Sequence, residues 1–191
     1  MGKTRLEAFS DGVIAIIITI MVLELKAPQG SDLRAVLPIL PVFFSYVLSF
    51  TFVGIYWNNH HHMLHAAETV SGAALWANLH LLFWLSLTPF ATAWMDENHF
   101  ASAPVALYGF ILLMAAVAYY VLGRILIRDN GQDGALAKAF GTDKKGLWSI
   151  VIYVLAVVAT IWNPWIAIAL YVVVAFIWLL PDPRIEKSLH S

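Results

Sequence analysis

Hydrophobic runs separated by short polar, proline- or glycine-containing segments cover almost the whole chain. A helix rises 1.5 Å per residue, so about 20 apolar residues match the roughly 30 Å core of a bilayer. The runs predict six spanning helices, at residues 5–25, 41–57, 73–95, 104–127, 147–162 and 165–180. The polar residues 58–65 could extend the second helix, and Pro89 predicts a kink in the third. Residues 33–40 form an amphipathic segment before the second helix, and residues 128–146 are the one substantial loop.

Composition supports a membrane protein. Hydrophobic residues make up 61% of the 191-residue chain and charged residues 12%, whereas soluble domains carry about 25% charged residues. We therefore expect an all-α polytopic membrane protein with one domain over residues 1–191. Cysteine is absent, which excludes disulfides and thiolate chemistry. The net charge of −1 gives no indication of a nucleic-acid partner.

The distribution of basic residues predicts the orientation of the helices. If the N-terminus is cytoplasmic, only Lys26 and Arg34 lie outside, and the remaining nine basic residues lie inside. This bias follows the positive-inside rule and places both termini in the cytoplasm. The inside residues are Lys3, Arg5, Arg124, Arg128, Lys138, Lys144, Lys145, Arg184 and Lys187.

The first helix has unusual chemistry for a lipid anchor because it carries Glu7, Asp11 and Glu24. A carboxylate at membrane depth costs about 2.5–3.5 kcal/mol on insertion scales, so it should face protein or water. One stripe of this helix, at helical spacing, combines branched aliphatic residues with one hydroxyl. It consists of Ile16, Thr19, Ile20 and Leu23. From spacing alone, this stripe is either a packing surface or the wall of a narrow pore.

Histidines and asparagines are concentrated after the second apolar run. We expect a hydrogen-bond network at the cytoplasmic ends of the helices, formed by Asn59, His61, His65, Asn78 and His80, because such side chains bond across helices in membranes. Asn59, Asn78 and His80 are the candidate partners of Asp11. Two alternatives remain: a metal site that uses His60, His61, His62 and His65, and a pH-sensing role.

The residues Arg5-x-x-x-Phe9-Ser10-Asp11 resemble the signature of the transmembrane-protein-175 potassium channel family. The resemblance extends through residues 12–25, 57–62 and 77–80 and weakens after residue 128. It implies a prokaryotic, potassium-selective leak channel in the cell membrane, not an enzyme, with no cofactor other than the permeant potassium ion. It also implies a homotetramer whose first helix lines the central pore.

The resemblance also implies roles for individual residues. Ile16 would form a hydrophobic constriction, Thr19 would present its hydroxyl to potassium, and Ile20 and Leu23 would complete the lining. Arg5, Phe9, Ser10 and Asp11 would serve assembly and structure. Two other classes of function remain as alternatives: an ion-coupled carrier that uses Asp11, Glu24 and the histidines, and a membrane metalloenzyme.

Overall fold

The computed structural model describes residues 2–28, 30–132, 134, 136–137 and 144–179. These residues form an all-helical bundle. We number the α-helices α1 to α7 in chain order. Their bounds are α1 Lys3–Leu23, α2 Leu40–Ala66, α3 Gly72–Ser86, α4 Thr88–Glu97, α5 Ser102–Asn130, α6 Lys144–Ala159 and α7 Pro164–Leu179.

The third predicted span is divided into α3 and α4, so the seven helices correspond to six spans. Leu87 separates them. Its backbone N–H donates to the carbonyl oxygens of Leu85 and Trp84, a pattern typical of a helix end. Pro89, in the first turn of α4, has no N–H to continue the ladder of hydrogen bonds. The helix is therefore interrupted two residues before Pro89, the position of the predicted kink.

The helical region around α2 extends beyond its predicted bounds at both ends. Leu33–Ile39 is a 3₁₀-helix that leads directly into α2, where Pro41 occupies the first turn and needs no hydrogen-bond donor. The polar residues after Trp57 continue α2 as far as Ala66. Much of the predicted loop at residues 128–146, and the chain from residue 180 onward, lies outside the described residues.

Length and hydropathy separate the helices into two groups. Four segments are long and apolar enough to cross a membrane: Lys3–Leu23, Leu33–Ala66, Gly72–Glu97 and Ser102–Asn130. Within the described residues, α6 and α7 cover 16 residues each.

The order of the helix ends agrees with an up-and-down bundle. Lys3 Nζ donates to the His65 carbonyl over 2.7 Å, which joins the start of α1 to the end of α2. The Asn130 side-chain oxygen accepts from the backbone N–H groups of Glu68 and Thr69, both over 2.8 Å. The beginning of α1, the α2–α3 connection and the end of α5 therefore lie at one end of the bundle.

Helix α5 occupies the centre of the bundle, against α3, α4, α6 and α7, whereas α1 packs against α2, α3 and α4. One core cluster joins α1, α2, α3 and α5, and a second joins α2, α4, α5, α6 and α7. The second cluster is rich in tyrosine, and the rings of Tyr108 and Tyr171 lie with centroids 5.7 Å apart and planes tilted by 57°. Helix α1 is thus peripheral in a single subunit.

Helices α5 and α7 approach each other closely at Gly109 of α5. A Cβ atom built there would lie 1.8 Å from the Tyr171 hydroxyl oxygen. That hydroxyl donates to the Val105 carbonyl over 3.1 Å, so the ring is fixed above the glycine. Only a residue without a side chain fits between α5 and α7 here.

We expect Gly109→Ala to destabilise the protein by about 1–3 kcal/mol, because the added methyl group forces two packed helices apart. Thermal unfolding of the detergent-solubilised protein measures the effect. Gly72→Ala is the matched control, since a Cβ there meets nothing within 4 Å. Equal melting temperatures for the two variants would contradict the packing described here.

Candidate functional site

Helix α1 has one packed face and one exposed face. The packed face carries the buried residues Leu6, Ser10, Ile14, Ile17 and Met21. The opposite face has no covering element within the described residues of the subunit. Because α1 is long and apolar enough to cross a membrane, this face must meet lipid, another subunit or the wall of a pore.

All four residues of the predicted pore stripe lie on the exposed face. Ile16 is 58% exposed, Ile20 43% and Leu23 77%, and Thr19 is also exposed. Ile17, the neighbour of Ile16, is 3% exposed. The structure therefore brings the stripe together on one side of α1 and separates it from the core of the subunit.

The hydroxyl of Thr19 is oriented by its own helix. Thr19 Oγ1 donates its hydrogen to the Ile16 carbonyl over 2.9 Å. The donor is therefore used, and the lone pairs of the oxygen remain available on the exposed face. A hydroxyl in this state can act as an oxygen ligand for a cation.

Ser10 connects α1 to α3 and α2 through a buried chain of hydrogen bonds. Asn78 Nδ2 donates to Ser10 Oγ over 2.9 Å, and Ser10 Oγ donates to the Leu6 carbonyl, also over 2.9 Å. Asn78 Oδ1 lies 2.6 Å from His60 Nε2. Ser10 and Asn78 are fully buried and His60 is nearly so, which means that three helices share one polar contact in the core.

Asp11 has a different partner from those predicted. Trp57 Nε1 donates to Asp11 Oδ1 over 3.0 Å, whereas Asn59, Asn78 and His80 were the expected candidates. Asp11 is half-buried. The adjacent residues Ser10 and Asp11 thus bond to two different helices, Ser10 to α3 and Asp11 to α2. The other motif residues, Arg5 and Phe9, are exposed.

The observed buried network differs from the predicted one. Of the five predicted side chains it contains only Asn78, and it also contains His60. Asn59 donates to the Ile55 carbonyl of its own helix, and His80 accepts from Trp84 Nε1 one turn later. His61 and His65 are exposed and stack with ring centroids 6.0 Å apart. The physical reason is the helical period: of consecutive residues 60 and 61, only one can face the core.

The histidines do not assemble a metal-binding set in the part of the chain that the structure describes. No three side chains of His, Asp or Glu there converge in a geometry that could hold a metal ion. His60 is directed into the core, and His61 and His65 are on the outer surface. The geometry gives no support to the metalloenzyme alternative.

A second buried polar group, between α2, α4 and α5, was missed by the sequence reasoning. Ser49 Oγ lies 2.7 Å from Thr92 Oγ1 and 3.0 Å from the Tyr108 hydroxyl. One turn earlier, Ser45 Oγ donates to Asp96 Oδ1 over 2.5 Å. The spacing of Ser45, Ser49 and His60 along one face of α2 was the available signal.

Comparison with known proteins agrees with this architecture. Residues 5–89 match the TMEM175 family, described as the endosomal/lysosomal potassium channel TMEM175. A potassium channel from a Chryseobacterium species is 56% identical over 191 residues, which is the full length of both chains. The chain belongs to the TMEM175 family.

The TMEM175 fold is also matched by a solved structure. The crystal structure of a lysosomal potassium-selective channel TMEM175 homologue from Chamaesiphon minutus superposes with a TM-score of 0.81 at 26% identity, covering 93% of this chain and 96% of that one. The human endosomal/lysosomal proton channel TMEM175 is 33% identical over 96 residues, 44% of this chain and 19% of the human protein.

We expect Asn78→Leu to destabilise this TMEM175 member strongly, because it removes partners from His60 and Ser10 in the core. Each buried polar group left without a hydrogen-bond partner lowers the free energy of unfolding by about 1–3 kcal/mol. Thermal unfolding of the purified protein measures the loss. Asn98→Leu is the control, because Asn98 is exposed and its amide bonds only to the Trp94 carbonyl one turn back. A melting temperature for Asn78→Leu equal to that of wild type would contradict a stabilising network.

Proposed function

We propose that the protein is a potassium channel in a prokaryotic cell membrane, assembled from four identical subunits around α1. The observation that carries the proposal is the uncovered face of α1, where apolar residues and one oriented hydroxyl lie at helical spacing. The family membership and the names of the bacterial relatives support it. No enzymatic step and no cofactor enter this proposal, and potassium is the permeant ion.

The narrowest point of the proposed pore is a ring of four Ile16 side chains. Ile16 is exposed in the single subunit and offers no ligand to an ion. A narrow apolar collar resists wetting, so ions that hold their water tightly are excluded. Potassium gives up water more readily than sodium, which provides a modest selectivity without a dedicated filter loop.

Thr19 supplies the oxygen ligands next to this collar. Its hydroxyl hydrogen is donated to the Ile16 carbonyl, so four such oxygens could replace part of the water that potassium loses. Ile20 and Leu23 continue the lining toward the opposite end of α1, and both are exposed in the single subunit. Selectivity would then arise from a hydrophobic collar and a hydroxyl ring acting together.

The residues of the family motif hold α1 in the orientation that this pore requires. Ser10 bonds to Asn78 on the packed face and Asp11 to Trp57 at its border. Rotation of α1 would break both contacts. We assign Arg5, Phe9, Ser10 and Asp11 to assembly and structure.

Both termini are proposed to be cytoplasmic. The start of α1, the α2–α3 connection and the end of α5 lie at one end of the bundle. Among the described residues, Lys3, Arg128 and Lys144 are near this end, and the positive-inside rule places it in the cytoplasm.

Proton conduction is the second candidate function, because the human relative is named a proton channel. Reversal potentials in planar bilayers separate the two. A potassium channel follows the potassium gradient and a proton channel follows the pH gradient. Steady single-channel currents without a coupled substrate would also exclude the carrier alternative.

We expect Ile16→Asn to raise the current and lower the preference for potassium over sodium, because the polar amide allows water to fill the constriction. Thr19→Val should keep the bore and remove the hydroxyl ring, so potassium preference falls without an increase in current. Reversal potentials in mixed potassium and sodium measure both effects. If Ile16→Asn leaves current and selectivity unchanged, α1 does not line the pore at this level.

The absence of native cysteine allows a direct test of which face of α1 lines the pore. Thr19→Cys should be blocked by a small, membrane-impermeant thiol reagent, because its side chain is proposed to face the conduction pathway. Ile17→Cys is the matched control, since Ile17 is buried in the subunit. Equal block of the two variants, or block of Ile17→Cys alone, would contradict the proposed lining.

A further inference from the structure

A small cavity lies between α2, α5, α6 and α7. Its volume is about 30 Å³. Half of its ten lining residues are aromatic, and five lining residues carry a hydroxyl or amide group: Tyr56, Asn59, Tyr119, Ser149 and Tyr153. The proposed pore does not use this cavity.

Two tyrosine hydroxyls at the cavity have no hydrogen-bond partner within the described part of the chain. Tyr153 is 2% exposed and Tyr56 8%, so each side chain keeps only a small surface for contact with water. The nearby Tyr171 hydroxyl, in contrast, donates to the Val105 carbonyl. A buried hydroxyl without a partner is rare in native proteins because it loses its bonds to water on folding.

Other polar atoms at the cavity have remaining capacity to bond. Asn59 uses its amide N–H on the Ile55 carbonyl, which leaves Oδ1 as an acceptor. Ser149 Oγ donates to the Lys145 carbonyl and accepts from Trp178 Nε1, and it retains one lone pair. These atoms come from α2 and α6, on two sides of the cavity.

We propose that this cavity is a binding site for two water molecules, which bridge the hydroxyls of Tyr56 and Tyr153 to Asn59 and Ser149. One bound water needs about 10–15 Å³ and two to four polar partners. The measured volume therefore suits two waters and is far too small for a lipid chain. Dry cavities in proteins are lined by apolar groups alone, and this one is not.

The bound water would connect α2 to α6 at the level where α2 also holds α1. Tyr56 and Asn59 line the cavity, and their neighbours Trp57 and His60 bond to Asp11 and Asn78. The water site would thus fix the same two turns of α2 that position the proposed pore helix. The proposal does not depend on which ion the protein conducts.

An experimental structure of the full-length protein in lipid nanodiscs, at a resolution that shows ordered water, tests the site directly. Two separate density peaks within hydrogen-bonding distance of the Tyr56 and Tyr153 oxygens are expected. An empty cavity, or continuous elongated density from an acyl or detergent chain, would overturn the proposal.

The sign of a stability change provides a second test. Tyr56→Phe and Tyr153→Phe should each lower the melting temperature by about 2–4 °C, because each removes a hydroxyl that water satisfies. In a dry cavity the same substitutions remove an unpaired hydroxyl, and the melting temperature stays constant or rises. That outcome would overturn the proposal.

Two further variants calibrate the measurement. Tyr171→Phe should lower the melting temperature whatever the cavity contains, because the partner of that hydroxyl is a protein carbonyl. Ala116→Val fills the cavity from α5. It should lower the melting temperature if it displaces bound water, and an increase would indicate that a void had been filled and would overturn the proposal.

Discussion

Two side-chain hydrogen bonds from α1, a buried one to α3 and a more exposed one to α2, fix the rotation of α1, and the rest of the candidate site depends on that rotation. Within a bilayer, apolar side chains are as stable against lipid as against another helix, so hydrophobic burial does not choose a face. A polar contact does choose one. Asn78 on α3 bonds to Ser10, and Trp57 on α2 bonds to Asp11. Together they direct Ile16 and Thr19 away from the subunit core.

These contacts combine modest energy with strong directionality. A hydrogen bond between membrane helices contributes about 0.6–2 kcal/mol, so neither would hold α1 by itself. Ser10 and Asp11 are adjacent in sequence, about 100° apart on the helix, and they reach two different helices. Two bonds in different directions fix the rotation of α1 about its axis, whereas two bonds in the same direction would still allow the helix to rotate.

The hydrophobic runs were sufficient for the all-helical class and the order of the spans, and helical spacing placed Ile16, Thr19 and Leu23 on one stripe of α1. Spacing alone did not decide whether that stripe is packed or exposed. The sequence was not sufficient for the partners of the polar residues. Choosing His60 over His61 requires the rotation of α2, which is set by Ser45, Ser49 and Tyr56 on the same buried face. The sequence also did not indicate Trp57 as the partner of Asp11, since composition cannot distinguish an indole at the lipid boundary from one that donates to a carboxylate. The roles of Ile16 and Thr19 in conduction stay predictions.

The interruption at Leu87 divides the third span into two helices. An unbroken helix resists bending because each bend stretches hydrogen bonds along its length, but here the ladder is already open at Leu87 and Pro89. The half that contains Asn78 contacts α1, and the half that contains Thr92 and Asp96 contacts α2 near its beginning. Bending at Leu87 is therefore less costly than in an unbroken helix, and it would shift α4, which packs against both α1 and α2, relative to the Asn78–Ser10 contact.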